Sequence, residues 1–205
     1  MQFLSRCPAK PDRLGILPGS FNPPTLAHLA LAEAALAEVD EVLLVLPRVF
    51  PHKNYHGASF TQRADMLRAI LEHRPRLAAA ASDGGLFVEI AQECRAAYGP
   101  HVQLAFVCGR DAAERMVGWD YGDPQAIGRM LETFELLVAC REGAYSPPPH
   151  LRPHIRPLAL PSDLSAVSAS DVRRRIRDGD AWQHLVPAEI VPMLHKMRTI
   201  YRPPE

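Results

Sequence analysis

The sequence predicts a doubly wound α/β domain on a parallel sheet, with a small helical segment at its C-terminal end. Three observations predict it. The uninterrupted apolar runs LGILP (14–18), EVLLVLP (41–47), VQLAFVCG (102–109) and FELLVAC (134–140) have the length of buried strands. Runs that do not alternate with polar residues belong to strands covered on both faces, as in parallel sheets. Segments of helical periodicity separate these runs, and strands alternating with helices build such a sheet.

The elements follow in order. After the first run, Leu26, Leu29, Ala30, Glu33, Ala34 and Ala37 form a mostly apolar stripe that predicts a helix over about 25–38. The 48–58 stretch, RVFPHKNYHGA, reads as a polar, proline-broken loop. Ser59 and Gln62 have capping-box spacing at the head of SFTQRADMLRAILEHR, with Phe60, Leu67, Ile70 and Leu71 facing inward. Residues 77–85 are alanine-rich with a DGG break and read equally as helix or strand. A helix is expected over about 86–97. The proline-rich 146–157 stretch reads as a loop that cannot be helical, and IRPLAL as a weak strand. Ser168 starts a helix that Gly179 ends, and a last helix is expected near 187–198 behind Pro187.

Length and charge bound the function. A chain of 205 residues suits one domain, with a core over about 13–178 and an extension over about 180–200. Lys plus Arg and Asp plus Glu both number 23, so no global field favours nucleic acid or a membrane surface, and an anionic substrate needs a local site. Cys7, Cys94, Cys108 and Cys140 show neither a CxxC pair nor metal-ligand spacing, and no HExxH or Cys-His set provides a protein metal site. Cys108 and Cys140 read as strand-core residues. The N-terminal MQFLSRCPAKPD lacks an apolar signal core and no run reaches membrane-spanning length, so a cytoplasmic protein is expected. Homo-oligomerisation is left open.

The first strand ends at Gly19, where the backbone can turn sharply and an anion can approach closely. The next helix begins with unpaired N–H groups and a positive dipole end. Thr25 and His28 lie three apart on its first turn, able to donate hydrogen bonds to phosphoryl oxygens. Read alone, Thr25 is a helix cap and His28 is incidental. The neighbourhood says more. GSFNPPTLAH resembles the signature of the nucleotidyltransferase superfamily, a G-x-F-x-P loop followed by (T/H)-x-x-H. More narrowly it is similar to that of the nicotinate and nicotinamide mononucleotide adenylyltransferases. Further resemblances follow in order: FPHK (50–53), QRADMLRAI, VCGRDAAERMVGW with Trp119 eight residues after Asp111, LLVACREG, and VSASDVR.

The resemblance implies a Rossmann-like fold and transfer of AMP from ATP to a pyridine mononucleotide, with release of pyrophosphate, in NAD biosynthesis. His28, Thr25, Lys53 and Arg173 are its implied catalytic residues, with His52 beside Lys53. Gly19, Ser20, Phe21, Asn22, Gly109, Asp111, Ser168 and Ser170 would bind the nucleotide, with Asp111 on the adenosine side. Trp119 would stack on the pyridine, and Arg141 would contact a phosphate or substrate. Mg²⁺ would be held mainly by the triphosphate. For Asp111 the plain alternative is an N-cap, for Trp119 core packing, and for Lys53 a solvated loop. Ser168, Ser170 and Arg173 form an oxyanion clamp at a helix N-terminus, while Arg174 and Arg177 read as a solvated basic face.

One departure stands out. Bacterial nicotinate-specific members carry a Ser-Tyr-Thr-x-x-Thr-Leu segment where this chain has ASDGGLFVEIAQEC. The N–H groups of Gly84, Gly85 and Leu86 are the expected substitutes for reading a pyridine carboxylate, which leaves nicotinate and nicotinamide both open. Rival readings are a phosphopantetheine or cytidylyltransferase-like enzyme and a nucleotide-binding regulator without turnover. A class I tRNA synthetase is disfavoured by length, by neutral charge and by the missing Lys-Met-Ser-Lys motif.

Overall fold

Successive side chains of a strand point to opposite faces, so a strand apolar at every position must be covered twice. Strand β3 (Glu41–Pro47) is such a strand: Val42, Leu44 and Leu46 enter one hydrophobic cluster, Leu43 and Val45 the other. The computed structural model of the chain, which describes residues 1–49, 56–123, 125–139, 145–160 and 167–201, repeats this pattern across a seven-stranded sheet.

The remaining strands are β1 (Gln2–Ser5), β2 (Arg13–Pro18), β4 (Leu77–Ser82), β5 (Gln103–Gly109), β6 (Glu135–Ala139) and β7 (Ile155–Leu158). Their order is β1-β4-β3-β2-β5-β6-β7, parallel except for β1 at one edge. Helices α1 (Leu26–Ala35), α2 (Phe60–Leu71), α6 (Ala169–Asp178) and α7 (Val191–Lys196) bury their apolar residues in one cluster. Helices α3 (Phe87–Tyr98), α4 (Arg110–Val117) and α5 (Ala126–Leu131) bury theirs in the other. The sheet is doubly wound, as expected. Among the described residues no helix is long and apolar enough to cross a membrane.

Several elements depart from the sequence reading. The alanine-rich 77–82 run is strand β4, with Ala78, Ala79 and Ala80 fully buried between helices on both faces. Burial between two helical layers overrides the helical preference of alanine. Strand β1 has no sequence signal because its order comes from antiparallel pairing with β4. The 146–157 stretch is not all loop: Pro149–His154 form a 3₁₀ helix, whose short pieces tolerate proline, before β7. Pro157 sits in β7, the sheet's other edge strand, where a missing N–H costs least. The last helix is broken into 3₁₀ turns at Ala188–Ile190 and Arg198–Tyr201 around the short α7.

Other expectations hold in detail. Ser59 and Gln62 form the reciprocal capping box of α2, and Gly179 closes α6 with φ 83°. Cys7, Cys94 and Cys108 are free thiols, and burial pushes each up to about 12, so none is a reactive thiolate. Cys108 lies in the core of β5, whereas Cys140 lies outside the described residues.

Candidate active site

Strands β3 and β4 extend the sheet to one side of β2, and β5 to β7 extend it to the other. The order therefore reverses between β2 and β5, and open α/β sheets bind ligands in the crevice at the carboxyl ends of such a pair. Ile16 pairs with Phe106, so the same register sets Gly19 level with Gly109. The two strand-end glycines of the sequence lie at the carboxyl ends of this adjacent pair.

Loop 19–25 is built from within. Gly19 N–H donates to Val45 O at 3.0 Å, and a Cβ on Gly19 would stand 2.9 Å from the Phe21 ring. Phe21 is fully buried with a left-handed φ of 46°, tolerable because its ring is locked in the core. Asn22, 3 % exposed, precedes a cis proline. Its Nδ2 donates to His56 O at 2.8 Å, while Oδ1 accepts from Ala58 N–H and from the Tyr201 hydroxyl, both at 3.1 Å. The side chains of Phe21 and Asn22 are thus engaged inside the protein, which leaves backbone groups of this loop for a ligand.

At the head of α1, Thr25 N–H donates to His28 Nδ1 at 3.0 Å. A backbone N–H can only donate, so Nδ1 carries the lone pair and the ring proton sits on Nε2. The Thr25 hydroxyl lies 2.7 Å from the same Nδ1 and, by that assignment, donates to it. His28 is half-buried, tilted against Phe21 at 5.2 Å between ring centroids. Thr25, 1 % exposed, therefore orients the imidazole, and His28 is an Nε2–H donor.

Helix α6 brings the clamp to the same loop. Ser168 Oγ accepts from Asp171 N–H at 3.1 Å and keeps its own O–H to donate. Arg173 Nη1 donates to Asn22 O at 2.7 Å and Nη2 to Ser170 Oγ at 3.1 Å, bridging α6 to the loop. Its neighbours are neutralised: Arg174 and Arg175 pair with Asp171, and Arg177 with Asp178. Hydrogen bonds from Arg175 and Arg174 hold the Asp171 carboxyl below its usual range. Arg173 makes no ion pair among the described residues, and its guanidinium is held by Asn22 O and Ser170 Oγ.

Across the switch point, Gly109 is the N-cap of α4, and Asp111 lies in the first turn, exposed, rather than at the cap. Among the described residues nothing lies within 4 Å of a Cβ placed on Gly109. Asp111, Glu114, Arg115, Gly118 and Trp119 line an open cleft of about 660 Å³. Trp119 is 56 % exposed, which removes core packing as its role.

The Gly84–Leu86 expectation needs correction. Glu89 Oε2 accepts from Gly85 N–H at 2.9 Å and Leu86 N–H at 3.0 Å, and Glu93 Oε1 accepts from Gly84 N–H at 2.9 Å. These donors are taken by the chain's own carboxylates at the head of α3, so they are not poised for a ligand. His52, Lys53 and Arg141 lie outside the described residues. Sequence reasoning missed Arg63, 4 % exposed on α2, whose Nη1 donates to Ser20 O at 3.0 Å. Its signal was a charge on the apolar stripe of Phe60, Leu67 and Ile70.

Residues 16–175 match the model of the cytidylyltransferase-like family. The chain belongs to that family. It is 34 % identical over 190 residues to the probable nicotinate-nucleotide adenylyltransferase of Bordetella pertussis, covering 87 % of this chain and 92 % of the relative. The corresponding protein of Carboxydothermus hydrogenoformans is 27 % identical over 192 residues, covering 87 % and 92 %. These likenesses place the chain among the nicotinate-nucleotide adenylyltransferases, and it is a nucleotidyltransferase enzyme. Its fold resembles the Plasmodium falciparum nicotinic acid mononucleotide adenylyltransferase complexed with NaAD. There the TM-score is 0.70 at 16 % identity, over 92 % of this chain and 98 % of the other.

Proposed function

We propose that this enzyme transfers AMP from ATP to nicotinate mononucleotide, yielding the dinucleotide and pyrophosphate, as a step of NAD biosynthesis. The observation that carries the reading is the convergence of His28 and Arg173 on one loop at the switch point. The names of the relatives support the choice of acceptor.

In this reading a phosphate oxygen of the mononucleotide attacks the α-phosphorus of ATP in line, and the bond to the bridging α,β-oxygen breaks. Positioning and charge stabilisation carry such transfers, with no covalent enzyme intermediate. His28 donates its Nε2–H to a reacting phosphoryl oxygen. Arg173 and the hydroxyls of Ser168 and Ser170 hold the leaving pyrophosphate. Asp111 accepts from the adenosine ribose, the open space before Gly109 admits the nucleotide, and Trp119 stacks on the pyridine. Among the described residues no three His, Cys, Asp or Glu side chains gather to hold an ion, so Mg²⁺ would be ligated by the triphosphate, whose charge it offsets.

Nicotinamide mononucleotide is the second reading. Glu89 fills the N–H groups that would have read a carboxylate, which removes one means of preferring the acid. The test is coupled pyrophosphate release with Mg²⁺, ATP and each mononucleotide. Turnover is expected with nicotinate mononucleotide, and His28→Ala is expected to lower kcat by about 10²- to 10³-fold. Silence with both acceptors would overturn the acceptor assignment.

A further inference from the structure

We infer that Tyr201 is a positioning residue for this reaction, acting through Asn22, an inference that rests on the function proposed above. The C-terminal 3₁₀ turn Arg198–Tyr201 packs against α6 and ends with its tyrosine, 8 % exposed, directed at the first loop. The Tyr201 hydroxyl donates to Asn22 Oδ1 across a sequence separation of 179 residues.

Asn22 is where separate parts of the site meet. Its Oδ1 accepts two donors, filling both lone pairs, and its Nδ2 holds His56 O. Its main-chain carbonyl receives Arg173. A Cβ on Gly57, at φ 129°, would lie 2.4 Å from Asn22 Nδ2, so the asparagine amide fits closely against that backbone. One residue thus ties the first loop to residues 56–58 and Tyr201 through its side chain and to Arg173 through its carbonyl. Thr25 and His28 follow on the same stretch of backbone. Removing the Tyr201 hydroxyl leaves half of a buried acceptor unsatisfied and releases the amide plane from one side. A small displacement of a phosphate-holding loop acts on the transition state more than on the bound ground state.

The test is Tyr201→Phe, which keeps the ring and deletes the hydroxyl, beside Trp182→Phe as a control. Trp182 is 3 % exposed in the same C-terminal segment and its ring lies against His195. Tyr201→Phe is expected to lower kcat about tenfold, with KM for ATP changed less than about twofold. Amide hydrogen exchange should accelerate in residues 20–28 and 56–60 but not in β3 or β5. Trp182→Phe should lower Tm and leave kcat at its wild-type value. Wild-type kcat and exchange in Tyr201→Phe would overturn the inference. A kcat loss in Trp182→Phe equal to that in Tyr201→Phe would overturn it too, because the effect would be general destabilisation. If the wild-type enzyme turns over neither mononucleotide, the function fails, while the exchange pattern still decides whether Tyr201 holds the loop.

Discussion

Gly19 and Gly109 end neighbouring strands and look alike in the sequence, yet a methyl group would meet different surroundings at each. On Gly19 it would press the buried Phe21 ring at 2.9 Å, whereas on Gly109 it would meet no described residue within 4 Å. Gly19→Ala is therefore expected to lose about 1–3 kcal/mol of stability through overpacking. Gly109→Ala, at an allowed φ of −79°, should hold or slightly raise Tm and still raise KM for ATP about tenfold. Thermal melts and ATP titrations of the two variants check this, and an unchanged KM in Gly109→Ala would show that no ligand approaches there. Much of the site was legible at this scale. GSFNPPTLAH fixed the loop, the helix start and the Thr25–His28 spacing, because these are neighbours in the chain. Arg63 and Tyr201 escaped because their partners, Ser20 and Asn22, are 43 and 179 residues away. The Gly84–Leu86 expectation failed for a local reason that spacing could have given: Glu89 is the N3 residue of α3, placed to accept N–H groups at its head.

Strand β3 carries its chemistry at both ends, and only one end faces the crevice. At its start Glu41, 3 % exposed, accepts from the Tyr98 hydroxyl and neighbours Cys7 and Arg6. Burial raises its carboxyl above the ordinary value, outweighing the hydrogen bonds from Tyr98 and Cys7 and the Arg6 charge. Raised in the folded state, the carboxyl contributes its full stability below its unfolded pKa and loses it as pH rises through the folded one. Glu41→Gln keeps an acceptor for Tyr98 and cannot ionise. Its Tm relative to wild type should therefore climb as pH rises above the ordinary carboxylate range. The acid end of a pH series should show no such gain, and kcat should not change because Glu41 starts β3 at the end of the strands opposite to Gly19. A constant Tm difference across the series would contradict the assignment. Elements with long apolar runs were legible in the sequence, and those made by pairing were not. Strand β4 is alanine-rich and β1 is four residues long, so each owes its conformation to the other and to the helices above and below.

The C-terminal segment decides whether the molecule unfolds in one step. Read from the sequence it is an extension beyond a core ending near residue 178, but Trp182, Leu185, Val186, Ile190, Leu194, Met197 and Tyr201 enter the same cluster as α1, α2 and β3. Burying a large apolar side chain stabilises by about 1.5–3 kcal/mol, so these side chains together contribute on the order of 10 kcal/mol before chain entropy is counted. That rivals the net stability of a whole domain, roughly 5–15 kcal/mol. A segment so coupled cannot melt ahead of the sheet, and its Tyr201 reaches the 19–25 loop only while the cluster is intact. The expected outcome is a single urea transition in which Trp182 fluorescence, isolated by Trp119→Phe, and far-UV circular dichroism share one midpoint. An earlier fluorescence midpoint would mean that the segment is an independent unit. In that case the positioning of Asn22 by Tyr201 would be lost under conditions where the sheet, and with it the rest of the crevice, still stands.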